Sequence, residues 1–340
     1  MSRQPRMLIL NPTCLDVIEA HRAYLDTLGV QWVAEQAFRA LREEQVYGLL
    51  ADADALILPA SIRKLPFAGH MRRHTTLKVL SIAANGYDWL DVEAATSCGI
   101  VVTNAPVREG IEVVADLSWG LILAVARQIP HHHQQICAGR FERGMGVSVW
   151  GKTLGIVGLG RIGQAVARRA AGFNMRVLAT EPNPDAAFVR EHAIELAGLD
   201  ELLQRSDFVS LHVRLDPHTR GMIGAPQLRL MKPSSYLINA ARAELVDEEA
   251  LTVAILKRGI AGAGLDDRPV RSDSPLLGLP NVIFTPHLGN RALEGVHAVF
   301  RCAIDNALAV LAGRRPEFVV NPAVYKGPLR APNPSGDNKP

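Results

Sequence analysis

The sequence predicts an α/β protein built as two doubly wound parallel-sheet domains, and three observations carry that expectation. Short apolar runs of strand character alternate with helix-periodic segments from Met7 to Thr285. This alternation argues for parallel strands covered by helices on both faces. The chain has 340 residues, more than one ordinary core organises, so two domains are expected. Residues 152–164 read as strand, glycine turn and helix, the pattern that opens a second sheet.

The elements follow in order. Met7-Leu-Ile-Leu10 is a first strand, and residues 15–28 form a helix closed by Gly29 at its C′ position. Strand character recurs at 30–34, at 55–58 before Pro59, at 77–82 and at 100–103, with helical periodicity at 38–50. Residues 112–128, rich in Ala, Leu and Val and carrying Trp119, are too apolar to face water on more than a narrow stripe. Such a helix is expected at a domain or subunit interface. His131, His132 and His133 follow. Consecutive residues on a helix point apart and do not converge on one ion without a special loop, so a polar helix-end cluster is expected and no metal site. Further strands are read at Ile156 and Val157 before the glycine turn, at 176–180, 208–213, 236–239, 261–266 and 281–285, then a helix at 292–312 and a Pro-, Gly- and Asn-rich disordered tail at 327–340.

Composition narrows the function class. Hydrophobic residues make up 48% and charged residues 21%, the balance of a soluble globular protein. The net charge is only +3, with no Lys/Arg block, which argues against a nucleic-acid partner. Cys14, Cys98, Cys137 and Cys302 are widely spaced and read as free thiols in a reducing cytoplasm. No secretory h-region or membrane-length apolar span is found.

Gly158, Gly160 and Gly163 form G-x-G-x-x-G between a strand and a helix. The first glycine permits the turn, the second lets a pyrophosphate approach the backbone, and the third lets helix and strand pack closely. The helix N-terminus adds free N–H groups and a positive dipole end. Glu181 ends the next strand, 181 − 163 = 18 positions past the last glycine. A carboxylate there accepts from both ribose hydroxyls and repels a 2′-phosphate, which favours NAD over NADP.

Ligands of open parallel sheets bind beyond the carboxyl ends of the strands. That edge should carry Asn239-Ala-Ala-Arg242, Asp266 and Pro286-His287. Arg242 suits a carboxylate and a carbonyl, and His287 exchanges a proton near neutral pH. Structural alternatives are an ion pair of Arg242 with Glu244 or Asp247 and a hydrogen-bonded strand-end His287.

Asn85-Gly-Tyr-Asp88, Val113-Val-Ala-Asp-Leu117, the run from Gly151 to Gly163, Ser210-Leu-His-Val213, Asn239-Ala-Ala-Arg242, Gly264-Leu-Asp266 and Thr285-Pro-His-Leu-Gly289 occur in this order. With these motifs the chain resembles the D-2-hydroxyacid dehydrogenase family from residue 7 to about residue 322. The resemblance implies a flavodoxin-like substrate domain (1–104 plus 290–326) and a Rossmann NAD domain (105–289). It implies NAD contacts from Gly158, Gly160, Arg161, Ile162, Gly163, Glu181, His212, Val213, Ala240, Asp266 and His287. Asn85 and Gly86 would offer backbone N–H groups to a substrate carboxylate, Arg242 would grip carboxylate and keto oxygen, and His287 would be the acid/base. A homodimer, with contact through the 112–128 helix, is also implied.

Two positions depart from the family pattern. Family members usually read G-L-D-V-F-x-x-E-P, whose glutamate hydrogen-bonds the catalytic histidine. This chain reads Gly264-Leu-Asp-Asp-Arg-Pro269, three residues shorter, with Arg268 before the proline and no glutamate between Ala250 and Asn281. Either Asp267 reaches His287, or the site works without a third member, or turnover is lost. Ala84 replaces a usual glycine and narrows or redirects the pocket.

The leading expectation is an NAD-dependent oxidoreductase of a small 2-oxo or D-2-hydroxy acid. The sequence Val-Ala-Asp-Leu resembles glyoxylate or hydroxypyruvate reductases more than phosphoglycerate enzymes. The alternative, motivated by Arg268, is an NAD-binding regulatory or corepressor-like protein with little turnover. A third possibility is an enzyme for a phosphonate or sulfonate, with Arg268 as an added anion contact.

Overall fold

The structure, a computed structural model, describes residues 3–10, 15–35, 43–59, 71–72, 76–267, 269 and 271–327. Arg268, Cys14, residues 38–42 of the expected 38–50 helix and residues 328–340 of the expected tail lie outside the described residues. The chain divides into two compact units, one of residues 1–110 with 293–340 and the other of residues 111–292.

In the first unit five strands, β1 (Arg6–Leu10), β2 (Gln31–Glu35), β3 (Ala55–Pro59), β4 (Val79–Ala83) and β5 (Val101–Thr103), pair in parallel in the order β2-β1-β3-β4-β5. The order reverses between β1 and β3, the switch point of a flavodoxin-like sheet. Every residue of β4 is buried, as expected of a strand covered on both faces. Its one hydroxyl is satisfied: Ser81 Oγ donates to the Ala303 carbonyl at 2.7 Å and accepts from Thr103 Oγ1 at 2.8 Å. Ala303 belongs to the helix Leu293–Leu311, which packs on β3, β4 and β5. Val299, Phe300, Ala303, Ile304 and Ala307, on its i, i+3, i+4 face, join the core of this unit.

The second unit contains β6 (Thr153–Val157), β7 (Arg176–Thr180), β8 (Glu195–Leu196), β9 (Phe208–Leu211), β10 (Tyr236–Asn239), β11 (Gly262–Leu265) and β12 (Val282–Phe284). All pair in parallel in the order β8-β7-β6-β9-β10-β11-β12. This is the Rossmann order with one further strand, and its switch point falls between β6 and β9. The two doubly wound parallel sheets expected from the alternation are therefore present.

The apolar helix differs from its expectation. It spans Arg108–Ala126, four residues earlier at its start and two at its end than the 112–128 reading. Ile111, Ala115, Trp119, Ile122 and Ala126 are buried in the second unit's own core. Trp119 stacks on Phe173 with ring centroids 4.6 Å apart, and its indole N–H donates to the Val166 carbonyl at 3.1 Å. Part of the apolar surface that suggested an interface is covered within this unit, while Val113, Leu117 and Leu123 remain half-buried. Exposed apolar side chains come next in sequence: Ile129, Ile136, Phe141, Met145 and Trp150 are 52 to 92% exposed. Among the described residues no helix is long and apolar enough to cross a membrane.

Candidate active site

Every candidate of the second unit lies at or just beyond the carboxyl end of a strand. Gly158 follows β6, Glu181 follows β7, His212 and Val213 follow β9, and Ala240 follows β10. Asp266 follows β11 and His287 lies three residues past β12. Because the strands are parallel, these ends form one edge of the sheet.

The glycine turn is shaped by the three requirements that its spacing predicts. Gly158 has φ +94°, and a Cβ there would stand 2.9 Å from the His212 carbonyl group and from Val213 Cγ1. A Cβ at Gly163 would run into the Gly158 carbonyl oxygen. Gly160 is different. It has φ −71° and caps the helix Arg161–Ala170 with no side-chain bond, and no protein atom lies within 4 Å of a Cβ built there. Two glycines are thus required by the protein itself, and the third keeps open space in front of uncapped helix N–H groups. A diphosphate fits that combination. The Glu181 carboxylate ties the turn to β7 by accepting from the Leu159 N–H at 3.1 Å and the Asn183 N–H at 3.2 Å.

His212 Nε2 lies 2.7 Å from Ser210 Oγ. Burial pushes the His212 imidazole down to about 4, so near neutral pH the ring is uncharged and adds no cation to the edge. Asn239, buried at the end of β10, shapes the next turn with its side chain. Its amide donates to the Arg242 carbonyl at 2.7 Å and accepts from the Ala241 N–H at 3.1 Å. Half-buried Arg242 is held in extended backbone, and its Nη1 donates to the Ala241 carbonyl at 2.8 Å. The Asp247 carboxylate, one partner of the structural alternative, caps the helix Glu248–Leu256 by accepting from the Ala250 N–H at 3.0 Å.

Asp266 does work that its place in the motif does not reveal. It is 2% exposed, and its carboxylate accepts from Thr285 Oγ1 at 2.6 Å, Leu288 N–H at 2.7 Å and Gly289 N–H at 2.8 Å. Beside the cofactor contact expected of it, its carboxylate clasps the loop that carries His287. Within that loop His287 has φ +58°. Non-glycine residues rarely adopt this conformation, which costs about 1–2 kcal/mol, so the clasp opposes a real tendency to relax. Asp267, whose side chain is 10% exposed, places Oδ2 3.7 Å from the buried His287 Nδ1. This separation is longer than a hydrogen bond. A cavity of about 30 Å³ lined by Asn239, Leu265, Asp267, Pro269 and Phe284 lies beside it. It has room for a water molecule or two.

In the first unit Asn85 and Gly86 follow the carboxyl end of β4. The Asn85 carbonyl accepts from Asn104 Nδ2 at 2.8 Å. Its Oδ1 is buried with no hydrogen-bond partner among the described residues.

The histidine triplet lies in the first turns of the helix Ile129–Cys137 and not at its end. His133 Nε2 is 3.6 Å from Cys137 Sγ, and among the described residues no three metal-binding side chains cluster.

The strand order, the glycine turn and the polar residues on the sheet edge define a dinucleotide-binding α/β protein. Comparison with known proteins narrows the class. Residues 119–289 match the family described as D-isomer specific 2-hydroxyacid dehydrogenase, NAD binding domain. The chain is 37% identical over 321 residues to a D-3-phosphoglycerate dehydrogenase of Methanocaldococcus jannaschii, covering 93% of this chain but only 59% of that protein. It is 41% identical over 261 residues to a glyoxylate reductase of Korarchaeum cryptofilum, covering 74% of this chain and 78% of the relative. A D-lactate dehydrogenase of Lactobacillus jensenii, solved with NAD+, superposes with a TM-score of 0.75 at 26% identity, covering 93% of this chain and 99% of that one. The chain belongs to the D-isomer specific 2-hydroxyacid dehydrogenase family, and its cofactor is NAD.

Proposed function

We propose that the chain interconverts a small 2-oxo acid and the corresponding D-2-hydroxy acid. The observation that carries this reading is the Asp266 clasp, which commits a buried carboxylate to holding His287 at the sheet edge that also carries Arg242 and the glycine turn. NADH, when bound, supplies the hydride for the keto carbon. Arg242 holds the substrate carboxylate and polarises the keto oxygen, and His287 delivers the proton that the nascent alkoxide requires. Asp267, 3.7 Å from His287 Nδ1, is proposed to orient the ring. Asn85 and Gly86 are proposed to offer backbone N–H groups to the carboxylate. In the NAD half of the site, Gly158, Gly160, Gly163 and the N–H groups of Arg161 and Ile162 would hold the diphosphate, with Glu181 on the ribose. His212, Val213 and Ala240, at the ends of β9 and β10, complete that half.

The identity of the relatives supports a short acid such as glyoxylate. Persistence of Arg242, His287 and a nearby carboxylate favours turnover over a purely regulatory role, because dinucleotide binding alone needs none of them. Free thiols at Cys98, Cys137 and Cys302 fit a reducing cytoplasm.

The test is NADH oxidation, followed at 340 nm, with a panel of 2-oxo acids. The wild type should turn over at least one. Arg242→Ala and His287→Gln should lose at least about 100-fold in kcat/KM, and Asp267→Asn should lose a smaller but clear factor. No oxidation with any acid, despite measurable NADH binding, would sink the proposal.

A further inference from the structure

We infer that Asn104 and Asn306 form a clamp that fixes the substrate loop from behind, so that Asn104 is a positioning residue for acid binding. The inference rests on the roles proposed for Asn85 and Gly86. Asn104 lies one residue beyond β5, in the turn that leads to the next helix. Its Nδ2 donates to the Asn85 carbonyl at 2.8 Å. One residue further, the Ala105 N–H donates to the Ala84 carbonyl at 2.9 Å. Two consecutive carbonyls of the loop are therefore tied to two consecutive residues after β5. The turn is held in its own right: Asn306, 4% exposed on the helix Leu293–Leu311, donates from Nδ2 to the Asn104 carbonyl at 3.1 Å.

The geometry determines what the clamp does. A peptide plane is rigid, so holding the Asn85 carbonyl fixes the orientation of the Gly86 N–H in the same plane. Holding the Ala84 carbonyl fixes the Asn85 N–H in the same way. These are the two donors proposed for the carboxylate. Without the clamp, the loop would have to be ordered when the acid binds, which weakens binding. Catalytic groups on the other unit would be untouched. The signature is a rise in KM with kcat nearly retained.

Asn104→Asp keeps the side-chain shape but replaces the donating amide with an acceptor that repels the Asn85 carbonyl. Asn306→Leu leaves Asn104 in place and removes its support, and it serves if the first variant folds poorly. For the better-folded variant we expect KM for the 2-oxo acid to rise tenfold or more, kcat to stay within about threefold, and the NADH dissociation constant to be unchanged. Amide hydrogen exchange of the cofactor-free protein at Ala105, whose N–H is bonded to the Ala84 carbonyl, should accelerate at least tenfold. Exchange does not depend on turnover, so it separates failure of the clamp from failure of the proposed reaction. Unchanged exchange would overturn the inference. So would faster exchange with an unchanged KM, or a loss confined to kcat.

Discussion

At the residue scale, charge placement decides what each group contributes. His212 sits at the sheet edge beside the glycine turn, yet its ring is uncharged because burial lowers it from an ordinary value of 6.5 to about 4. The folded chain therefore binds fewer protons than the unfolded chain between those limits. Stability is greatest above pH 6.5 and falls as the pH drops toward 4, by up to about 3 kcal/mol from this one group. His212→Gln should flatten the melting-temperature profile between pH 6.5 and 4 by the equivalent of one proton, and an unaltered slope would refute the assignment. Asp266 and Asp267 show a similar contrast, because two adjacent carboxylates have separate tasks. One clasps the Thr285–Gly289 backbone and the other stands 3.7 Å from His287. The approach of Asp267 to His287 was one of the alternatives that the shortened loop offered, whereas the Asp266 clasp was not readable from spacing, since it depends on contacts to Thr285, Leu288 and Gly289.

Local elements were the most legible part of the chain. The turn from Gly158 to Gly163 and the carboxylate at Glu181 follow from short-range geometry, and the structure places them as the pattern requires. The turn also yields a prediction that separates folding from binding. Gly160→Ala adds a methyl at an allowed φ with no protein neighbour, so its melting temperature should stay within about 2 °C of wild type. Its NADH dissociation constant should rise at least tenfold, because the methyl occupies the space left for the diphosphate. Gly163→Ala collides with the Gly158 carbonyl and should lower the melting temperature markedly. Calorimetry with fluorescence titration checks both, and equal thermal loss in the two variants would show that Gly160 is also structural. The helix Arg108–Ala126 was legible as apolar but not as to what covers it, because apolar periodicity does not name the opposing surface. Trp119 finds Phe173 and Val166 inside its own unit. Asn104 and Asn306 were equally hidden, since 202 positions separate the two.

For the whole molecule, the parallel pairing of both sheets follows from an alternation visible in the sequence, while the strand orders β2-β1-β3-β4-β5 and β8-β7-β6-β9-β10-β11-β12 are set by the fold. Assembly is a separate question. Among the described residues, the densest run of exposed apolar side chains, including Phe141 at 78%, Met145 at 92% and Trp150 at 67%, follows the helix first associated with the dimer. We propose that a second copy covers this run, since such exposure is unfavourable in a monomer. Light scattering should give twice the chain mass of 36.9 kDa, and Phe141→Asp with Trp150→Asp should give a folded monomer. A wild-type monomer at micromolar concentration would contradict the assignment.

Arg242 and a clasped His287 are proposed to serve 2-oxo acid reduction with NADH. The most direct test is the NADH-coupled rate of wild type and His287→Gln with glyoxylate and longer 2-oxo acids. The wild type should turn over at least one acid, and the variant should lose at least about 100-fold with NADH affinity retained. Equal rates in the two proteins, or NADH binding with no acid reduced, would contradict it.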